Sequence, residues 1–418
     1  MEETAGPFLG QIEFGQNKSI QGGPTMQKFS SIFSQLLQLF PRAEFEKAVR
    51  DHKAEYQARG FSCWGQFVAM LFCQLGRAHT LREICGGLAS CEGKLKHLGV
   101  PDAPKKSTLA YANKHRPWGL YQAVFQQFLT KCQTAIAGRE QKKKFRFKNK
   151  LVSLDSSVID LSLSLFDWAK FRRTKGAVKL HLLLDHDGYL PSFAVITDGK
   201  KSDIKVARKM RFEPGTVLVM DRGYIDYAWF GQLTLQGVYF VTRLKDKASF
   251  DVVDDRPVAK KGNILKDQIV FFPSQAEKGE EYFFRLVEVW LEDKHESIVF
   301  LTNNLELAAS TIAAIYKDRW AVELFFKAIK QNLKIKTFLG TSANAVKTQI
   351  WTALIAILIL KYLQLRSKYS WSLSNLIALL RHQLFVYREL YAWLDDPFKG
   401  PPALAEVDTK QLALGFTK

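Results

Sequence analysis

The spacing of apolar residues changes once along this chain, at a short basic segment, and this change limits the possible folds more than any other feature. From Gln27 to about Cys132 the apolar residues recur at helical spacing, as Phe29 and Ile32 illustrate. After Lys150 the apolar runs are short and strand-like, and turn signals separate them. We therefore expect an all-helical N-terminal region followed by a region built on a β-sheet.

The strand-like region has an order of elements that indicates one α/β architecture. Three strand signals are followed by a helix, a strand, a helix and a strand, at 151–154, 177–184, 190–197, 202–211, 216–220, 227–235 and 238–243. This order predicts an RNase H-like mixed sheet. Strand signals alone continue from Asp246 to Asn304, which predicts a β-rich insertion before a helical C-terminal segment.

The charge of the chain indicates a polyanionic partner. Lys and Arg number 60 against 41 Asp and Glu, and the net charge is +19. Such an excess favours nucleic acid, with an anionic membrane surface as the competing interpretation. Seven basic residues against one acidic residue lie between Arg139 and Lys150, where the sequence allows either a solvated hinge or a contact with phosphates.

The length of the apolar runs and the number of cysteines indicate the cellular compartment of the protein. The longest apolar run, Ile350 to Leu360, is shorter than the roughly 20 residues that span a bilayer. The five cysteines are too few and oddly numbered for a disulfide scaffold, which fits a reducing compartment. We expect a cytoplasmic protein without a membrane partner.

One helical stretch, from Tyr316 to Lys330, combines an apolar face with an unusual polar face. At about 100° per residue, the polar residues fall within one stripe, which holds Tyr316, Arg319, Glu323, Lys327 and Lys330. A solvated helix usually alternates charge signs, whereas one carboxylate here stands among three cations. The arrangement suits a phosphate backbone held beside a metal-binding carboxylate, although an ordinary amphipathic core helix is the alternative.

Two aspartates stand where strand signals end. Asp155 follows the strand signal at 151–154, and Asp221 follows the one at 216–220. Carboxylates at the ends of buried strands are held rigidly at a sheet edge, where ligands collect in open α/β sheets. With Glu323 they form an oxygen-only set of the kind that Mg²⁺ prefers. Other aspartates nearby are alternative ligands, namely Asp160, Asp185, Asp198, Asp203 and Asp226.

The spacing Tyr-x2-Arg-x3-Glu-x6-Lys at 316–330 resembles the motif around the last catalytic acid of bacterial insertion-sequence transposases of the IS-four type. The segments 154–157 and 220–224 resemble the motifs around the first and second aspartates of that family. The resemblance covers roughly Phe29 to Leu365. It implies a DDE transposase that performs cut-and-paste transposition of DNA at terminal inverted repeats. It also implies a bacterial protein associated with the nucleoid.

The resemblance also implies roles for individual residues. Asp155, Asp221 and Glu323 would bind two Mg²⁺ ions, with Mn²⁺ as a substitute, and would be catalytic. Tyr316, Arg319 and Lys330 would hold the phosphates of double-stranded DNA near the cut. Apart from the resemblance, we expect Lys327 and Arg222 in the α/β region to contact DNA at the transposon ends and the target. The same is expected of Lys114 and Arg116 in the N-terminal helices, whose side chains suit phosphate and base-edge contacts. Pairing two ends implies a homodimer in the synaptic complex.

These inferences divide the chain into seven segments. We expect a flexible leader (1–25), a helical DNA-binding domain (26–138), a basic linker (139–150), a catalytic core in two parts (151–245 and 306–366) separated by the β-rich insertion (246–305), and a helical C-terminal region suited to dimerisation (367–418). A packing or dimerisation role is the alternative for 26–138.

Two other functions remain open at the level of sequence. One is a transposase-derived DNA-binding regulator without catalysis, and the other is an RNase H-like nuclease without strand transfer. Whether the reaction uses a DNA-hairpin intermediate is also left open. Family members that form the hairpin carry a stacking tryptophan at the position where this chain has Ile298. Trp290 or Phe300 could replace that aromatic side chain, since base flipping needs an aromatic platform.

Overall fold

The computed structural model describes residues 30–56, 58, 60–91, 93–137, 144–162, 166–172, 175–260, 262–273 and 282–399. The predicted leader, residues 139–143 of the basic linker and the last residues of the C-terminal region (400–418) lie outside these ranges.

The N-terminal region is helical, as predicted. Its α-helices are α1 (Ile32–Leu37), α2 (Arg42–Asp51), α3 (Cys63–Leu75), α4 (Leu81–Ala89), α5 (Lys106–His115) and α6 (Gly119–Ala137). Hydroxyl side chains start three of them, because Ser31, Ser62 and Thr80 each accept a hydrogen bond from a backbone N–H of the first turn of α1, α3 and α4.

The rest of the described chain is a ten-stranded sheet with helices. The strands are β1 (Leu151–Leu161), β2 (Lys170–Arg172), β3 (Lys175–Asp185), β4 (Leu190–Asp198), β5 (Val217–Met220), β6 (Tyr239–Arg243), β7 (Asp251–Asp255), β8 (Ile264–Phe271), β9 (Phe283–Leu291) and β10 (Glu296–Thr302). The helices are α7 (Asp203–Ala207), α8 (Tyr227–Leu235), α9 (Ala309–Asp318), α10 (Trp320–Asn332), α11 (Ala343–Arg366), α12 (Leu373–Gln383) and α13 (Leu390–Asp395).

The first strands of the sheet have the RNase H-like order. Strands run β4-β3-β1-β5-β6, with β3 antiparallel to β1 and β4, and with β5 parallel to both β1 and β6. Parallel strands need a crossover, which α7 supplies between β4 and β5 and α8 between β5 and β6. The predicted α/β fold with an RNase H-like mixed sheet is therefore confirmed.

The β-rich segment extends this sheet. Strand β10 pairs antiparallel with β6, and β9, β8 and β7 continue outward from it in that order. The exposed β7 is rich in acidic residues, a composition that gave no strand signal in the sequence. The insertion is thus structurally continuous with the α/β core.

The N-terminal and C-terminal helices share one hydrophobic core. The long helix α11 lies in it with α3, α5 and α6 on one side and α12 nearby. Ser31, just before α1, forms a β-bridge with Tyr387, which follows α12. The N-terminal and C-terminal helices therefore pack together in one core, and the domain boundaries stay a prediction.

Helix α11 is also the one helix in the described residues that is long and apolar enough to cross a membrane by length and composition. Of its most apolar window, 83% is buried inside the protein. Its apolar surface is accounted for by the shared core, with Trp351 and Leu354 among its fully buried residues.

The stretch from Tyr316 to Lys330 is not one continuous helix, so that prediction was wrong in detail. Helix α9 ends at Asp318 and α10 begins at Trp320, with Arg319 between them in helical backbone geometry (φ −51°, ψ −31°). Periodicity hides this break because the apolar residues keep their spacing on both sides of it.

Candidate catalytic site

Strand pairing sets the two predicted aspartates side by side. Leu154 of β1 lies opposite Met220 of β5 in the parallel pair, so the residues that follow, Asp155 and Asp221, leave this pair at the same edge. Strand β1 does not end there, in contrast to the prediction, because Asp155 pairs with Leu182 of β3 and the strand continues to Leu161. Asp155 lies where β5 stops, which gives its side chain an open edge.

Local backbone N–H groups orient both aspartates. The Asp155 carboxylate accepts a hydrogen bond from the N–H of Ser156 at 2.7 Å. The Asp221 carboxylate accepts one from the N–H of Gly223 at 2.8 Å, at the start of a short 3-10 turn. Such bonds fix each carboxylate while leaving further oxygen lone pairs available.

Arg319 joins Glu323 to Asp155. One terminal nitrogen of its guanidinium lies 2.5 Å from Glu323 Oε1, and the other lies 3.5 Å from Asp155 Oδ2. Arg319 is buried, with 8% of its surface exposed. The break between α9 and α10 places this cation between a strand carboxylate and a helix carboxylate that are distant in sequence.

The electrostatics of the site favour a further cation. Burial raises the pKa of Asp155 to about 6, and the charges of Glu323 and Asp221 add to this, while the Ser156 N–H and Arg319 oppose it. One guanidinium therefore does not neutralise the three carboxylates. An additional positive charge beside Asp155 would relieve this imbalance.

The donor set fits a hard divalent metal in its chemistry, since all three groups offer carboxylate oxygens. Among the described residues, however, no group of three or more His, Cys, Asp or Glu side chains lies close enough together to hold a metal ion. Arg319 stands between Asp155 and Glu323 in this conformation. Metal binding by the full set thus requires the guanidinium to give way.

The cationic stripe predicted around Glu323 divides into different environments. The Tyr316 ring packs on Phe300 with ring centroids 4.8 Å apart, and the Arg319 guanidinium lies 5.4 Å from the Tyr316 ring centre. The Lys330 ammonium donates to the backbone carbonyl of Val158 at 2.9 Å. Lys327 is exposed and faces solvent.

The other predicted DNA contacts also differ in availability. Arg222 is exposed beside Asp221, within 3.3 Å of Asp246, and lines an open pocket with Lys245 and Lys247. In α5, Lys114 is exposed. Next to it, Arg116 is half-buried and donates to the backbone carbonyls of Phe61 and Ser62. Its guanidinium supports the fold, so Lys114 is the more accessible of the pair.

The alternative aspartates mostly have structural partners. Asp226 caps α8 and pairs with Arg208, and Asp203 lies 3.2 Å from Lys179. Asp185 accepts a hydrogen bond from the N–H of Asp187 at 2.9 Å in the turn after β3. These contacts agree with turn and cap roles rather than with a place beside Glu323.

Two aromatic features bear on the hairpin question. Ile298 and Phe300 are both buried, and Trp290 is partly buried. By contrast, Trp320 is 56% exposed on α10. Sequence reasoning missed this residue because it weighed only aromatic residues on the neighbouring strand.

An RNase H-like sheet with carboxylates on adjacent parallel strands and a third on a following helix defines a class of phosphodiester-processing enzymes that act on nucleic acids. The Transposase DDE domain family matches residues 146–359, and a domain of unknown function, DUF4372, matches residues 28–101. The chain therefore belongs to the DDE transposase family and is a DNA-cleaving enzyme of that family.

Individual relatives agree with this assignment. The protein y4zB of Sinorhizobium fredii, named as a transposase, is 30% identical over 316 residues, which are 74% of this chain and 86% of that protein. The transposase named for insertion sequence element IS5377 of Geobacillus stearothermophilus is 27% identical, over 63% of this chain and 68% of its own length. Family membership establishes DNA as the partner and a general dependence on divalent metal ions.

A solved structure is similar over most of its length. The piggyBac transposase, in a synaptic complex with hairpin DNA, covers 93% of this chain and 86% of its own, with a TM-score of 0.45 and 10% identity. A similarity of this extent does not define a shared reaction route.

Proposed function

We propose that this protein carries out cut-and-paste transposition of an insertion sequence of the IS-four type. It binds terminal inverted repeats, hydrolyses one strand at each transposon end, and directs the freed 3′-hydroxyl to target DNA. The observation that supports this best is the Arg319 guanidinium, which contacts both Asp155 and Glu323 while strand pairing sets Asp221 beside Asp155.

Asp155, Asp221 and Glu323 are the residues that would hold two Mg²⁺ ions, or Mn²⁺ in their place. When bound, such ions lower the pKa of the attacking water and stabilise the leaving oxygen. The carboxylates supply oxygen ligands on a strand, at the end of a strand and on a helix, which are rigid supports for a site of this kind.

Arg319 has two alternating tasks in this proposal. In the DNA-free protein it is the counter-ion of Asp155 and Glu323. A DNA phosphate offers oxygens in a geometry that matches a guanidinium, so DNA entering the site competes for Arg319 and exposes the two carboxylates. Its Nε is buried and has no hydrogen-bond partner among the described residues, which leaves a donor for that phosphate.

The remaining contacts and partners are assigned by accessibility. Lys327 and Arg222 are both exposed and would hold phosphates near the cut. Lys114 on α5 would contact the inverted repeat. Two copies of the chain would pair the two transposon ends, and the reaction would take place on chromosomal DNA in the bacterial cytoplasm.

The test is a transposition assay with purified protein, DNA that carries the matching inverted repeats, a target plasmid and Mg²⁺. We expect nicked ends and joined products from the wild type. Glu323→Gln should lower nicking by about three orders of magnitude or more, with the affinity for the repeats unchanged. Glu292→Gln, an exposed glutamate in the turn between β9 and β10, is the matched control and should keep wild-type rates.

Each outcome distinguishes one function from another. Cleavage without joined products would indicate a nuclease without strand transfer. Repeat binding without nicking at any metal concentration would indicate a regulator. Wild-type nicking by Glu323→Gln would remove this residue from the catalytic set.

A further inference from the structure

A buried chain of hydrogen bonds runs behind the carboxylate site. The Ser153 hydroxyl and His186 Nε2 are 2.7 Å apart, and His186 Nδ1 is 2.6 Å from Asp318 Oδ2. Ser153 lies on β1, His186 lies in the turn between β3 and β4, and Asp318 is the last residue of α9. The chain thus connects a strand, a turn and a helix end.

Asp318 collects two further donors. The Lys144 ammonium from the basic linker and the Tyr189 hydroxyl, at 3.2 Å, both point to its carboxylate. Burial alone would raise the pKa of Asp318, but the bonds from His186 and Lys144 outweigh it and lower that pKa to about 2. Asp318 is therefore a charged anchor, and charge-assisted hydrogen bonds to it are stronger than neutral ones.

The order of residues resembles a Ser-His-Asp hydrolase triad, but the surroundings exclude that role. The Ser153 side chain is fully buried within the sheet. A nucleophile must reach a bound substrate, and no substrate atom can approach an oxygen enclosed in this way. The arrangement is a structural connection rather than a second active site.

The two ends of this connection are close in sequence to two of the carboxylates. Ser153 is two residues before Asp155 and points to the same face of β1, because side chains alternate along a strand. Asp318 ends α9 and directly precedes Arg319, which separates α9 from α10, the helix that carries Glu323. The connection therefore joins the strand that carries Asp155 to the helix break that places Glu323.

We propose that Ser153, His186 and Asp318 are positioning residues that set the separation of Asp155 and Glu323, so that these carboxylates would be able to hold a divalent metal ion once Arg319 has moved. This inference rests on the proposed function. Arg319 ties the same two elements together only while it occupies the site. The buried connection stays in place when Arg319 leaves, and outer residues of this kind commonly change metal affinity by 10–100-fold.

The test measures Mn²⁺ binding by calorimetry on the full chain without DNA, beside single-turnover cleavage and repeat affinity. Asp318→Asn keeps the shape of the side chain but removes its charge, and should weaken Mn²⁺ binding and slow cleavage at fixed metal by about tenfold or more. Repeat affinity should stay within about twofold. Ser153→Ala should act in the same direction with a smaller effect.

Two comparisons separate positioning from a merely structural role. Asp267→Asn breaks an equally buried ion pair away from the site and should lower the melting temperature while Mn²⁺ affinity per folded molecule stays at the wild-type value. If Asp318→Asn fails to fold, Ser153→Ala carries the test, because it removes a single oxygen.

The inference is overturned if Asp318→Asn and Ser153→Ala lower only the melting temperature and keep wild-type Mn²⁺ affinity. Failure of the proposed function looks different. In that case the wild type itself would not cleave, while calorimetry would still report whether the two variants change metal binding.

Discussion

Two buried arginines in this protein, Arg285 and Arg319, have opposite surroundings. Arg285 on β9 donates to both carboxylate oxygens of Asp267 at 2.7 Å, and its remaining terminal nitrogen donates to the backbone carbonyls of Asn304 and Leu307. It is 1% exposed. Every nitrogen of this guanidinium has a partner, so the pair has no capacity for another ligand.

Arg319 is comparably buried but incompletely paired. Its terminal nitrogens are shared between Glu323 at 2.5 Å and Asp155 at 3.5 Å, and its Nε has no hydrogen-bond partner in the described part of the chain. An arginine whose nitrogens all have partners (a saturated arginine) stabilises the fold. An arginine with an unpaired nitrogen (an unsaturated arginine) marks a place where another charged group can bind. The difference predicts which substitutions affect stability and which affect function.

The largest effect on stability is expected at the saturated pair. Arg285→Met leaves the Asp267 carboxylate buried without a partner and should lower the free energy of unfolding by about 3–5 kcal/mol. Denaturant titration measures this change. A loss below about 1 kcal/mol would show that the pair is less important to the fold than its contacts indicate.

A carboxylate of the unsaturated site should behave in the opposite way. Because the pKa of Asp155 is raised to about 6 in the folded protein, its charged form costs stability at neutral pH. Asp155→Asn should therefore raise the free energy of unfolding at pH 7 by about 2–3 kcal/mol. It should also abolish nicking.

The stability gained by Asp155→Asn should depend on pH in a defined direction. The folded protein binds the Asp155 proton more tightly than the unfolded chain, so the contribution to stability is present below about pH 4 and is lost as pH rises through about 6. The gain in Asp155→Asn should accordingly disappear near pH 4. Urea titrations of wild type and variant at pH 4 and pH 7 measure this gain. An equal difference in the free energy of unfolding at both pH values would show that the raised pKa of Asp155 is not its cause.

The smallest expected free-energy change is in metal binding, on substitution of Arg319. Arg319→Gln removes the cation that competes for Asp155 and Glu323, and should strengthen Mn²⁺ binding by the DNA-free protein about tenfold, or about 1.4 kcal/mol. Lys327→Gln is the control, because Lys327 lies on the exposed face of α10, and it should leave the calorimetric Mn²⁺ affinity unchanged. Weaker binding in Arg319→Gln would mean that Arg319 organises the carboxylates for metal instead of competing with it.

Much of the sheet could be predicted from sequence because its strands are short, apolar and separated by turn residues. Helix α8 was predicted at its observed bounds, and β3 and β4 within a few residues. Strand β1 was predicted to end at Leu154, where the strand signal at 151–154 stops. Its extension depends on pairing with β3, which is a tertiary interaction that local propensity does not contain.

The site was predictable only in part for a similar reason. The ends of strand signals identified Asp155 and Asp221 as candidates and the polar stripe of one helix identified Glu323, and the structure brings Asp155 and Glu323 to one guanidinium. Spacing could not show that Arg319 would pair internally, nor that Ser153, His186 and Asp318 would meet, because such contacts join segments that are remote in sequence. Local periodicity reports the faces of single elements and nothing about which elements come together.

The shared core around α11 has a consequence for synthesis of the protein. A chain is made from its N-terminus, yet helices α3 and α6 pack on α11, and Ser31 pairs with Tyr387 close to the end of the described chain. Helices α3 and α6 leave the ribosome well before α11, so their layer is among the last to gain its full packing. Until then its apolar surface remains open to chaperones and proteases, and a prematurely terminated chain lacks the partner on which its first helices depend.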